Sequence, residues 1–226
     1  AFYLGSDAIQ GLLDFIPRLS RGYTRPEHLA AVASLFERAF AGEPVFACVS
    51  VPPRHGKTEV VLAAIAWWLS RRPADTLGFV SYASSFAESK SSRGRDFATG
   101  QGVRLHASRN TLSEWRTTES GGLLATGIGG PLTGQGVRLA VVDDPVKNRE
   151  EAESALIRQR TWDWFTSTLW TRIEPGGSCI VVHTRWHEDD LIGRLARGEM
   201  GDAAQWEVVS LPAVDEHGEA LWPSRW

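Results

Sequence analysis

Short apolar runs alternate with longer segments of helical periodicity along most of the chain. Residues 6–21 read as a short amphipathic helix ending near Pro17. Thr24-Arg-Pro-Glu27 has the form of a capping box with Pro26 just inside the helix, and Leu29, Val32, Leu35, Phe36 and Ala39 supply an apolar stripe as far as Ala41. Gly42 is the expected stop. Phe46 to Val51 is a continuous apolar run, the pattern of a strand buried on both faces. Val60 to Leu69 is apolar nearly all round, which predicts a helix between the sheet and other elements. A strand over Thr76 to Tyr82 and a Ser/Ala-rich helix from Ser84 to Phe97 follow.

The rhythm changes at Glu114 to Thr118 and Leu123 to Thr126, a hairpin pattern around Ser120-Gly-Gly122. Gly127 to Gly136 carries five glycines in ten residues and predicts a mobile loop. Beyond it come a strand over Leu139 to Asp144, one long helix over Glu150 to Trp170, a strand over Cys179 to Thr184, a helix over Glu188 to Arg197 and a strand over Trp206 to Leu211. Strands alternating with helices imply a mostly parallel sheet with helices on both faces.

The chemistry gathers where the first strand meets its helix, at Pro52-Pro-Arg-His-Gly-Lys-Thr58. Gly56 lets the backbone approach an anion, Lys57 brings a charge to terminal phosphates, and Thr58 offers a hydroxyl to Mg²⁺ at a helix N-terminus. The full phosphate-loop pattern wants a glycine where Val51 stands, so the context of strand, loop and helix carries the reading. Asp143 closes an apolar strand further on and suits the metal. Asp144, next to it, suits the general base that polarises the attacking water. Glu150 and Glu151 are rival bases or first-turn acids favoured by the helix dipole. Thr184, at the end of the next apolar strand, is placed to sense the γ-phosphate or the lytic water, or to cap a turn.

The net charge is −3, so contact with nucleic acid requires a local patch. Lys90, Arg93 and Arg95 are one candidate patch, with a solvated helix face as the alternative. Cys48 and Cys179 lie in apolar strand runs, which predicts buried, reduced thiols and a reducing compartment. His183, His187, Glu188 and Asp189 do not share one helix face, which argues against a zinc set. No run is long enough to span a bilayer as a helix. Most of the ten tryptophans, including Trp162, Trp164 and Trp170, read as core or interface anchors.

Taken together, Pro52 to Thr58, the Gly127 to Gly136 loop, Val142-Asp-Asp-Pro-Val-Lys-Asn-Arg-Glu-Glu-Ala-Glu-Ser154, His183-Thr-Arg-Trp-His-Glu-Asp-Asp-Leu191 and Leu221-Trp-Pro223 are similar to the large terminase subunit of tailed bacteriophages and prophages. The resemblance runs over nearly the whole chain. It implies a P-loop NTPase fold of the ASCE type and an ATPase that uses ATP and Mg²⁺ to pump double-stranded DNA into a procapsid. The residues carried over are Pro53, Arg54, His55, Gly56, Lys57, Thr58 and Glu59 for the phosphates, Thr58 and Asp143 for the metal, and Asp144 where many relatives have a catalytic glutamate. Thr184 falls in the coupling motif. Implied partners are duplex DNA, the portal protein and the small terminase subunit, in a homo-oligomeric ring in the bacterial host cytoplasm and as a monomer in isolation.

The sequence departs from relatives in two respects. Relatives often carry an arginine for a neighbour's nucleotide where this chain has Gln135; Arg138 is the first substitute, with Arg93, Arg95 and Arg149 behind it. Only fifteen residues follow Leu211, too few for the C-terminal nuclease of such subunits, so nuclease activity is not expected. Together with Ala1 in place of methionine, this predicts an excised piece: a helical adenine-side segment over 1–42, an ATPase core over 43–211 and the start of a linker over 212–226. The alternatives are a helicase-like DNA-dependent ATPase and a nucleotide-binding scaffold that turns over poorly.

Overall fold

The computed structural model describes residues 11–19, 24–132 and 134–223. Parts of the first predicted helix (6–10 and 20–21) and Thr133 lie outside them. Helices α1 (Leu12–Leu19) and α2 (Ala30–Ala41) precede strand β1 (Phe46–Ser50) and helix α3 (Lys57–Leu69). Then come β2 (Thr76–Ser81), α4 (Ser84–Gly100), β3 (Leu105–Asn110), β4 (Glu114–Thr117), β5 (Gly122–Gly127) and β6 (Val137–Asp143). Helices α5 (Arg149–Glu153) and α6 (Ala155–Trp164), strand β7 (Ile173–His183), helix α7 (Leu191–Ala196) and strand β8 (Glu207–Ser210) complete the order.

The strands form one eight-stranded sheet in the order β3-β4-β5-β2-β6-β7-β1-β8. Its β5-to-β8 portion is parallel, and β3 and β4 add an antiparallel edge. Side chains alternate across it as the pleat requires. Val49, Val141, Ile180 and Val182 face a core built with α1, α2, α3 and α4. Cys48, Ala140, Val142, Cys179 and Val181 face a second core closed by Trp164, Phe165, Leu169, Ile192 and Leu195. Both cysteines are buried and reduced, and burial pushes the Cys48 thiol up to about 12.

The α/β architecture with helices on both faces agrees with the periodicity, and four local readings are corrected. First, α1 does not end near Pro17 but runs through it to Leu19; the helix is held by burial of Leu12, Phe15 and Ile16 and by the Leu12 amide donating to Glu37 Oε1 at 2.6 Å. Second, Thr24-Arg-Pro-Glu27 forms no capping box: the Glu27 carboxylate pairs with Arg25, and a 3₁₀ turn over Glu27–Leu29 leads into α2. Third, the single helix expected over 150–170 is broken at Ser154, which is extended (φ −76°, ψ 110°) and N-caps α6 by accepting from the Ile157 amide. Asn148 caps α5 in the same way, and a π turn over Phe165–Leu169 followed by a 3₁₀ turn over Trp170–Arg172 ends the segment. Fourth, β3 has no counterpart in the sequence reading, and β7 begins well before Cys179, at Ile173.

Parallel strands put all their carboxyl ends on one edge, where ligand crevices form in open α/β sheets. Here that edge carries Ser50, Ser81, Asp143 and His183.

Candidate active site

The loop after β1 is anchored before it turns. Val51 is buried, its amide donates to the His183 carbonyl at 3.2 Å, and its own carbonyl accepts from Thr184 Oγ1 at 3.1 Å. A valine can therefore stand where a glycine was expected, because this position extends the ladder and the turn starts at Pro52. Arg54 (φ 64°) and Gly56 (φ 86°) then take left-handed backbone. Gly56 opens α3 with no side-chain cap, leaving first-turn amides available to an anion.

Lys57, on the first residue of α3, is largely buried and reaches across to the neighbouring strand ends. Its Nζ lies 2.8 Å from Asp144 Oδ2 and 2.6 Å from Thr184 Oγ1. The other Asp144 oxygen, Oδ1, accepts from the Thr184 amide and contacts His183 Nδ1, both at 3.2 Å. Burial raises the Asp144 carboxyl, and His183 and Lys57 outweigh it, so the group stays below its ordinary value. Asp144 holds a left-handed φ of 48° ahead of Pro145, a strained conformation of the kind that accumulates at functional sites. The Tyr82 amide and Ser81 Oγ fix its carbonyl, at 3.0 and 3.3 Å.

Asp143 is fully buried. Its Oδ2 accepts from Thr58 Oγ1 at 2.8 Å, while Oδ1 has no hydrogen-bond partner among the described residues. Burial, helped by the charge on Asp144, pushes its carboxyl up to about 7. An orphaned buried carboxylate oxygen beside a hydroxyl is a hard-oxygen donor set of the type Mg²⁺ takes, with phosphates and water completing the shell. Among the described residues no group of three His, Cys, Asp or Glu side chains is placed to hold a metal ion by itself.

A family profile described as "Terminase large subunit, T4likevirus-type, N-terminal" matches residues 48–220. The chain belongs to that terminase family. Membership ties it to phage DNA packaging. No curated protein matches the chain. The matched span of this terminase chain includes the loop, both aspartates and Thr184.

Of the residues singled out from the sequence, Lys57, Thr58, Asp143, Asp144 and Thr184 converge. Pro53 and Arg54 are exposed on the loop, and His55 is buried beneath it, its ring against the Pro53 carbonyl and its own carbonyl bonded by His28 Nε2 at 2.9 Å. Glu59 turns away and grips Arg93 with both oxygens, linking α3 to α4. Arg95 bonds Asn110, and Lys90 lies over the Phe86 ring. Arg138 sits near the start of β6, donating to the Pro175 carbonyl; five residues at ~3.3 Å each put it on the order of 16 Å from Asp143, at the far end of the sheet. Gln135 is held by the buried Arg116.

The rival bases fare differently. Glu151 accepts from the Lys147 amide and belongs to the start of α5, and Glu150 is exposed there. His187 bonds the Asp189 amide, and Asp189 is gripped by Arg158, Arg194 and Arg197, which hold its carboxyl far below the usual range. His183 was weighed in the sequence only as a metal ligand. The signal that could have found it is a lone polar side chain ending an otherwise apolar strand next to Thr184.

Proposed function

We propose that this chain is the Mg²⁺-dependent ATPase motor part of a DNA-packaging terminase, built as a P-loop NTPase of the ASCE type. The observation that carries the reading is the bridge made by Lys57 between Asp144 and Thr184, with Thr58 on Asp143 beside it. The strand order supports it too, since β7, whose end leads directly into Thr184, lies between the loop strand β1 and the acidic strand β6.

In this reading the amides opening α3 and the Lys57 ammonium bind the phosphates of ATP. Thr58 and Asp143 hold Mg²⁺, which when bound neutralises charge on the β- and γ-phosphates. Asp144 Oδ2, once Lys57 has moved to the phosphates, accepts the proton of the attacking water. Thr184 loses Lys57 at its hydroxyl while its backbone amide stays on the Asp144 carboxylate, so its side chain registers the change. Arg54 adds a charge from the loop, Pro53 and His55 shape the loop's course, and Glu59 ties α3 to α4 through Arg93. The motor acts on duplex DNA as a homo-oligomeric ring with the portal and the small terminase subunit, in the host cytoplasm. Residues 1–42, 43–211 and 212–226 are proposed as the adenine-side helical segment, the ATPase core and the linker start.

Steady-state ATP hydrolysis with Mg²⁺ tests the reading. Lys57→Ala should lose turnover with an unchanged circular dichroism spectrum; wild-type turnover in that variant would overturn the assignment. DNA-stimulated turnover separates a motor from a scaffold that merely binds nucleotide.

A further inference from the structure

His183 is fully buried at the last position of β7, and its placement has a use that a core residue would not need. Nδ1 lies 3.2 Å from Asp144 Oδ1, while Nε2 is buried with no hydrogen-bond partner among the described residues. The carboxylate is an acceptor, so the proton sits on Nδ1, and the orphaned Nε2 carries a lone pair in place of an unpaired donor. Burying an imidazole with one nitrogen unsatisfied is unfavourable. The arrangement is explained if the Nδ1–H contact to Asp144 matters.

The three groups on Asp144 divide by oxygen. Oδ2 has Lys57; Oδ1 has the Thr184 amide and His183. When Lys57 leaves for a phosphate, Oδ2 is freed and the two donors on Oδ1 remain. Two donors on one oxygen fix the plane of the carboxylate, which a single donor does not. The base therefore keeps its aim when it is needed. The Thr184 amide is fixed by the end of β7, and His183 is fixed by complete burial, so neither depends on the ligand.

We propose that His183 is a positioning residue for the general base, donating from Nδ1 to Asp144 Oδ1 so that Oδ2 faces the attacking water after Lys57 has moved. The inference rests on the ATPase reading above. Misplacing a reacting group by about 1 Å costs rate on the order of 100-fold.

The test is single-turnover hydrolysis of ATP with Mg²⁺ and the chain in excess, alongside nucleotide affinity from a fluorescent ATP analogue and thermal melting. His183→Leu removes the donor; His183→Asn keeps a donor near the Nδ1 position; His183→Gln carries one further out, near Nε2. We expect His183→Leu and His183→Gln to slow the hydrolytic step roughly 10- to 100-fold with affinity within threefold of wild type, and His183→Asn to recover to within about fivefold. If His183→Leu fails to fold, Asn against Gln makes the same comparison. Equal rates for Asn and Gln, or a wild-type rate in Leu, would overturn the positioning role while leaving the ATPase reading intact. A wild-type chain that hydrolyses no ATP, or hydrolyses it equally well as Lys57→Ala, would remove the reading and this inference with it.

Discussion

Lys57 is paired with Asp144, its Nζ 2.8 Å from Oδ2. The residue proposed for the phosphates and the residue proposed for the water hold each other. On the proposed reading ATP binding breaks this ion pair, and the Asp144 side chain, one-quarter exposed, has its Thr184 and His183 contacts to hold it. Asp144→Asn should consequently bind ATP at least as tightly as wild type, because Lys57 is no longer held by a charge. Its hydrolysis should fall by about 10²- to 10⁴-fold, the range for loss of a general base. Glu150→Gln should hydrolyse normally. Equilibrium binding and single-turnover rates measured together decide it; slow Glu150→Gln beside normal Asp144→Asn would move the base to α5.

Asp143 sets a pH dependence of stability. Its carboxyl is raised to about 7 in the folded protein, above its ordinary value near 4. The folded state thus binds this proton more tightly than the unfolded state, and the stability gained is full below about pH 4 and lost as pH rises through about 7. Asp143→Asn removes the buried charge. Without nucleotide it should melt a few degrees above wild type at pH 8 and lose that advantage by pH 5, at ~2–4 °C per kcal/mol for a chain of this size. Calorimetry at the two values checks this, and a variant less stable at pH 8 would refute it. The same variant should lose Mg²⁺-dependent nucleotide binding.

Ser154 separates stability from chemistry. Its side chain accepts from the Ile157 amide at the start of α6. Ser154→Ala should cost about 1 kcal/mol, the usual value of an N-cap, while ATP turnover stays unchanged. Urea unfolding followed by tryptophan fluorescence would detect a midpoint shift; no shift would mean the cap contributes nothing.

Arg138 tests cooperation between subunits. It lies at the sheet end opposite Asp143, too far to serve the proposed site of its own chain, so any role in hydrolysis is in trans. An arginine supplied in trans is worth about 10³ to 10⁵ in rate. Specific activity should therefore rise with protein concentration, and mixing Arg138→Ala with Lys57→Ala protein should restore part of the turnover each lacks. Flat specific activity over a hundredfold range would argue against trans activation, and a fully active Arg138→Ala would redirect the search to Arg149, which is exposed at the start of α5.

The sequence was most legible where burial is strongest. β1, α3 and β6 are covered on both faces, so their apolar runs name them, and the residues that break those runs, Lys57, Thr58 and Asp143, are the ones the proposed site is built from. β3 was missed because five of its six positions are exposed at the sheet edge, which leaves no alternation to see. The break at Ser154 was missed because helical periodicity continues through it; only the capping chemistry of Asn148 and Ser154 betrays two helices. His183 escaped because its importance is a contact across the sheet to Asp144, a relation that linear spacing does not encode.

The segment after Thr184 is bolted down twice. Arg185 pairs with the buried Asp190, which caps α7 through the Gly193 amide, and Asp189 holds Arg158 of α6 and Arg194 of α7. A shift of Thr184 cannot be absorbed by slack in residues 185–190, because these anchors take it up within a few bonds. Mechanically, the strand end and the two helices behave as a crank rather than a cord. On the proposed reading, a displacement passed into residues 185–190 moves α6 and α7 together, on the face of the sheet away from α3 and α4.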